Sequence, residues 1–312
     1  MLEWFFCFID LKMLFDPKTL QLFISVVEEG TVAAAAAREN IATAAVSRRI
    51  SEMEADLHTP LFTRSNKGVV PTSAGLNLVH LARRILHDME DVYSQMREYA
   101  GGTRGYVRIF ANISAITQFL PSELKAFLAM HPHVRVSLEE RISTVITKAV
   151  SENVADIGLF TLGIPTENLK IFPYRKDELV LIVPKKHPLS GRRRVSMREI
   201  LEFDFVGLHS GSWINFQLMK AATDIGRTMK LRIQVTGFDA LCLMVEAGLG
   251  VGILPKNTAK PYQRALRVKT IALSEPWANR DLAICVRSYE ELSVAAKLLV
   301  DHLRTSASEI RV

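Results

Sequence analysis

A chain of 312 residues, 48% hydrophobic and 23% charged, is long enough for two domains or three small ones, each with its own core. No apolar run reaches the length of a membrane span, and three scattered cysteines (Cys7, Cys242, Cys285) speak against a disulfide framework and fit a reducing compartment. The net charge of +6 is unevenly spread: residues 15–72 hold six Lys/Arg against seven Asp/Glu, and residues 105–312 hold 28 against 20. Bulk charge therefore gives the first part no electrostatic hold on a polyanion, and the excess in the second suits either an anionic ligand or a solvated surface.

Residues 1–14 (MLEWFFCFIDLKML) are apolar and aromatic but carry Glu3 and Asp10 and lack a basic n-region and a cleavage site, so they make a poor signal peptide. Met13 stands just before the first regular helix; translation is expected to begin there, which makes this stretch a tail or a misassigned start. A helix is predicted over Pro17–Glu29, with Leu20, Phe23, Ile24 and Val27 on one face, Pro17 at its start and Gly30 at its end. Thr31–Ser51 reads as two short helices around a turn at Glu39-Asn40-Ile41-Ala42, the first rich in alanine, which favours helix and lets a neighbour pack close. Thr43 is expected to cap the second helix. Burying Val46, Ile50 and Met53 turns Thr43, Ser47, Arg48 and Arg49 outward, an arrangement that suits the DNA major groove. Many helical hairpins look similar, so this pair is weak evidence alone.

Two brief extended runs between Thr63 and Pro71 read as a β-wing with Arg64 and Lys67 near its tip, placed for phosphates or the minor groove. Ser73–Ala100 reads as one long helix. Its stripe of Leu78, Leu81, Ile85, Met89, Val92, Met96 and Tyr99 has coiled-coil spacing, so a dimer is expected, the other option being packing against the chain's own C-terminal part. Gly101–Gly105 marks a hinge.

From Tyr106 strands and helices alternate, the signature of an α/β domain. Strands are expected at 107–111, 134–139, 156–160, 179–183, 205–208, 231–235, 251–254 and 282–287. Helices are expected at 120–130, 144–151, 197–201, 215–223, 238–247 and 291–303. Cys242 and Cys285 lie in apolar segments, where burial is expected over a redox role.

The searched-for signatures of chemistry do not occur: no GxxxxGK[ST], no GxGxxG opening a βαβ unit, no HExxH, CxxC or GxSxG, and no metal-ligand pattern among eight histidines. No catalytic residues, metal or cofactor are assigned, and an enzyme is unsupported. A ligand-binding logic remains. Ser114 and Thr117 sit between a strand and a helix, as does His209-Ser210-Gly211-Ser212-Trp213, and Gly237-Phe238-Asp239 precedes a third helix. Hydroxyls and free N–H groups at such helix starts hold anions, although Ser and Thr are also ordinary N-caps.

These features, in this order, resemble the LysR-type transcriptional regulators over nearly the whole chain from Phe15. The resemblance is carried by Leu20, Phe23 and Val27, Ala35-Ala36, AAVSRRISEMEADL, Pro60-Leu61-Phe62 with Arg64, and Pro71-Thr72-Ser73-Ala74-Gly75. In the second part FLPSELKAFLAMHPHVRVSLEE, ADIGLF, His187-Pro188-Leu189 and VEAGLGVGILP carry it. It implies an α/β protein overall: an N-terminal all-α winged helix-turn-helix (residues 15–72), a linker helix and hinge (73–104), and a two-lobed effector domain resembling type 2 periplasmic binding proteins (105–312). Lobe I would take about 105–175 and 277–304, and lobe II about 176–276.

By family position Ser47 and Arg49 face DNA with Thr43, and Arg64 meets phosphate beside the wing. Ser114, Ala115, Thr161, Ser210, Ser212 and Phe238 match cleft-lining positions. Thr43 and Ala44 stand where glutamine and proline are usual, and His58 where glycine is usual, so Thr43 is where base preference is expected to depart from relatives. The implied function is cytoplasmic, operator-specific regulation of transcription under a small-molecule coinducer, for which an anion is one option, by a homodimer or homotetramer that works with RNA polymerase and without a membrane. The alternative is a solute-binding module that senses a metabolite without regulating DNA.

Overall fold

The computed structural model describes residues 15–65, 68–98 and 105–308. They form two compact units that meet in sequence at Arg97 and Glu98. Neither the proposed start at Met13 nor Lys67, Tyr99 or the Gly101–Arg104 hinge lies among the described residues.

The first unit opens with α1 (Pro17–Glu29). Asp16 caps it by accepting from the N–H groups of Lys18 and Thr19 at 2.9 and 3.1 Å, and Gly30 closes it in the left-handed region at φ 69°. In α2 (Val32–Arg38) Thr31 accepts from Ala34 N–H. Its Ala35 and Ala36 are buried in the core made by Leu20, Phe23, Val26, Val46, Ile50 and Met53, so the small side chains serve close approach. The turn that follows holds Asn40 at φ 55°.

The next helix, α3, runs from Thr43 to Asp56, and here an expectation is corrected. Thr43 is the first helical residue, and the cap is Ala42, whose side chain has no acceptor. Only Ala42's carbonyl serves, taking the N–H groups of Ala45 and Val46 at 2.9 and 3.2 Å. The strands β1 (Phe62–Ser65) and β2 (Gly68–Pro71) pair antiparallel as the wing. Val69 N–H donates to Gly30 O at 2.9 Å, tying the wing to the end of α1. The Glu54 carboxylate accepts from the N–H groups of Leu61 and Phe62, fixing the entry to the wing. Last comes α4 (Ser73–Glu98). Its first turns bury Leu78, Val79 and Ala82 in the unit's core, while Leu81, Ile85, Met89, Val92 and Met96 stay exposed.

The second unit begins with β3 (Gly105–Ala111), α5 (Ile113–Gln118), α6 (Leu120–Met130), β4 (Val134–Glu140), α7 (Ser143–Ser151) and β5 (Ile157–Thr161). Strand β3 is flanked by β4 and β5, both parallel to it, and all five residues of β5 are buried, as expected for a strand covered on both faces. Then β6 (Lys170–Pro184) runs for 15 residues. Residues 179–183, expected as a strand of their own, are the second part of this one.

The chain continues through β7 (Arg194–Val195), α8 (Met197–Ile200), β8 (Asp204–Leu208), α9 (Trp213–Asp224), β9 (Lys230–Val235) and α10 (Phe238–Glu246). It ends through β10 (Gly252–Pro255), α11 (Lys256–Ala265), β11 (Val268–Leu273), β12 (Asn279–Val286) and α12 (Val294–Ser308). The first part of β6 pairs antiparallel with β12, which also pairs with β5. The second part pairs with β10 and β11. One strand thus belongs to two half-sheets, each over its own core: one around Val107, Phe127, Leu159 and Leu299, the other around Ile182, Phe205, Phe238 and Leu254. Strands β8 and β9 form a parallel pair, joined to the second half by a bridge between Phe205 and Val251.

Helix α11 and strand β11 were not anticipated. Pro261 stands inside α11 and breaks the sequence pattern of a helix, and Val268–Leu273 lacks strict alternation. The last helix starts at Val294, three residues later than expected. Both described cysteines are buried, and burial pushes their thiols up to about 12, so they act as small core residues.

Candidate nucleic-acid surface and ligand cleft

On the first unit, Thr43 is exposed at the start of α3, Ser47 is half-buried and Arg48 projects into solvent with Glu52 one turn away at 3.7 Å. Arg49 behaves differently. Its Nη1 donates to Asp16 Oδ2 at 3.1 Å and to Thr19 Oγ1 at 2.6 Å, so the cap residue of α1 holds the guanidinium of α3. Partial burial works against ionisation of Asp16, but hydrogen bonds from Thr19 and Lys18 and the Arg49 charge win, and its carboxyl sits below the usual range. Arg49 Nη2 and Nε have no protein partner among the described residues, so an oriented fork remains on this face. Arg64 lies on β1 opposite Val69.

The second unit contains a cleft of about 250 Å³ where its two half-sheets meet. Four of the expected residues line it: Ser114, Thr161, Ser212 and Trp213. Four do not. Ala115 is fully buried behind the wall, its N–H donating to Asn112 Oδ1 at 2.9 Å. Thr117 bonds its own helix at Ile113 O and meets Thr258 Oγ1 of α11 at 3.1 Å. Ser210 is exposed, and Phe238 packs into the second core because α10 starts facing the sheet.

The sequence reading missed the residue at the centre of the wall. Arg280, at the start of β12, is 6% exposed; it donates from Nε to Asp177 Oδ2 at 2.9 Å, again from Nη2 to the same oxygen, and from Nη2 to Ser114 Oγ at 2.6 Å. Its guanidinium lies 5.3 Å from the Trp213 ring centroid. Burial pulls the guanidinium's pKa down while Asp177 pushes it back up; the paired carboxylate is what keeps this charge tenable. Nothing in Asn279-Arg280-Asp281 distinguishes it from a surface charge in sequence.

Asn112 is a second residue that was missed in sequence: its Oδ1 caps α5, and its Nδ2 donates to Thr161 Oγ1 at 3.0 Å, joining the ends of β3 and β5. Glu140, Arg141, Ser143 and His209 complete the polar lining. Among the described residues no group of three His, Cys, Asp or Glu is arranged to hold a metal ion, and no helix is long and apolar enough to cross a membrane.

Comparison with known proteins agrees with both units. The family model described as "Bacterial regulatory helix-turn-helix protein, lysR family" matches residues 17–76, and "LysR substrate binding domain" matches 100–308. The Escherichia coli (strain K12) HTH-type transcriptional regulator YbhD is 27% identical over 279 residues, 89% of this chain and 88% of that one. Among solved structures, full-length CbnR complexed with its target DNA superposes with a TM-score of 0.70 at 22% identity, covering 94% of this chain and 100% of that one. The regulatory domain of Synechocystis PCC6803 CcmR in complex with 2-PG gives 0.61 at 20% identity, covering 66% of this chain and 99% of that one. The winged first unit and the cleft-bearing second unit are the two parts of one architecture: the chain belongs to the LysR family of transcriptional regulators.

Proposed function

We propose that this chain is a sequence-specific DNA-binding regulator of transcription whose activity is set by a small molecule bound in the cleft of the second unit. The observation that carries the reading is the presence, in one chain, of an outward-facing helix α3 beside a wing and of a polar cleft built around Arg280. In this reading Thr43, Ser47, Arg48 and Arg49 meet base edges and phosphates, and Arg64 and Lys67 of the wing follow the backbone. Ser114, Thr161, Ser212, Trp213 and Arg280 hold the effector, with Ala115 and Thr117 supporting the wall from behind.

The exposed apolar residues of α4 support pairing of two copies along the linker helix, since a stripe of this length left in water costs apolar burial. Dimers would then assemble into tetramers, place two reading helices on one operator and act through RNA polymerase. A DNA partner puts the protein in the cytoplasm, and its task is regulatory rather than catalytic. A stand-alone solute-binding role gives α3 and the wing nothing to do.

The test selects DNA with the full-length protein from a random-sequence pool and measures affinity at several salt concentrations. Specific sites should exceed non-specific binding by about 10³-fold or more. Affinity that depends on salt alone, with no sequence preference, rules the reading out.

A further inference from the structure

The cleft's charges do not sum as its basic surroundings suggest. Three ionisable side chains other than histidine line it: Arg280, Arg141 and Glu140. Both cations are already matched. Arg280 is neutralised by Asp177, the two side chains being 3% and 1% exposed. Arg141 donates from Nη2 to Glu139 Oε2 at 2.6 Å and from Nη1 to the Glu140 carbonyl at 3.0 Å, and lies over the Phe110 ring. The Glu140 carboxylate has no hydrogen-bonded or ion-paired cation among the described residues. Glu140 is exposed overall; the burial its carboxyl does have raises its pKa, and the His209 imidazole opposes that rise.

Elsewhere in the same cleft the unmet groups are donors. Helix α9, twelve residues long, begins there with no side-chain cap on its first-turn N–H groups. Its N-cap Ser212 is 7% exposed and lines the cavity, and its hydroxyl has no hydrogen-bond partner among the described residues. Ser114 accepts from Arg280, which leaves its own proton to donate.

We infer that the ligand of this cleft is a small zwitterion of the α-amino-acid class, its carboxylate held by Ser114, Ser212 and the start of α9 and its ammonium by Glu140. A simple anion would leave Glu140 unpaired beside it, and a simple cation would leave the donors of α9 unused. A cleft of about 250 Å³ is smaller than the common run of ligand pockets, about 300 to 1,000 Å³, and so suits a small ligand. The inference rests on the reading of this cleft as the effector site.

The test uses the full-length protein, with calorimetry and thermal shift against each protein-forming α-amino acid and its des-amino carboxylate. At least one amino acid should bind about tenfold or more tighter than its des-amino partner. In Glu140→Gln that preference should fall to about twofold or less, and Ser212→Ala should weaken both ligands of the pair. Equal or tighter binding of the des-amino acids, a preference that survives Glu140→Gln, or no binding by any amino acid overturns the zwitterion. DNA affinity measured alongside separates the two claims. A des-amino acid that binds and changes DNA affinity defeats the zwitterion and leaves effector control standing. An amino acid that binds through Glu140 without changing DNA affinity keeps the zwitterion and defeats effector control.

Discussion

Arg280 and Asp177, 103 residues apart in the chain, form a buried, hydrogen-bonded ion pair at the point where β6 passes from one half-sheet to the other. Removing one partner of such a pair strands a charge without water or counter-charge, a loss of about 3–5 kcal/mol. Asp177→Asn and Arg280→Met should each lower the unfolding free energy of the second unit, read from urea unfolding, by that order. The double variant Asp177→Leu/Arg280→Met should recover much of the loss while binding no cleft ligand. Single variants as stable as the parent would mean that water reaches the pair.

Arg49 is held by Asp16 and Thr19, so its contribution to DNA binding should depend on orientation as well as charge. Fluorescence anisotropy on selected DNA should show about a tenfold loss or more for Arg49→Ala, and Arg49→Lys should not restore it, because an ammonium cannot replace an oriented fork. Thr19→Val, which deletes one support, should cost less. Full affinity in Arg49→Ala would remove this residue from the interface.

His58 adopts φ 48°, a left-handed conformation that costs a residue with a Cβ about 1–2 kcal/mol. Glycine relieves the strain but enlarges the freedom of the unfolded chain, so His58→Gly should stabilise the first unit by about 0.5–1 kcal/mol. Thermal melting reads this directly, and a lower melting temperature would contradict it. Gly75→Ala should act oppositely, since a Cβ there would lie 2.2 Å from the Leu61 carbonyl oxygen, backbone that cannot step aside.

His187 accepts a hydrogen bond from Leu189 N–H on Nδ1 at 3.2 Å and packs on the Phe203 ring, 4.5 Å between centroids. Burial lowers its pKa from the ordinary 6.5, and accepting on Nδ1 requires the neutral ring. The unfolded chain therefore binds a proton that the folded one refuses. The stability from this group is complete above pH 6.5 and is lost as pH falls below 6.5 toward the lowered folded value. Between pH 7.5 and 5.5 the parent should lose more stability than His187→Gln, as measured by urea unfolding at each pH. Parallel losses would show that other groups dominate.

Local signals were strong enough to be read where one stretch of chain carries its own instruction. Pro17 and Gly30 bound α1, and Val46, Ile50 and Met53 mark the buried face of α3. The order of such segments also carried the family. Thr43 shows the limit even there, because which of two adjacent residues caps a helix depends on one backbone dihedral. Pro261 hid a helix whose buried Thr258 and Ala259 hold it against the second half-sheet despite the interruption.

The amino-acid sequence by itself thus determined the two-unit architecture, the buried and outward faces of α3 and the hydroxyls of Ser114 and Ser212 that line the cleft. Tertiary structure alone decided the electrostatics. Arg280 meets Asp177 and Ser114 across separations of 103 and 166 residues, and Arg49 meets Asp16 across 33. Whether a charge is neutralised, oriented or left facing a cavity is set by distance in space and by water excluded from the site, and neither is written in the spacing of residues along a chain.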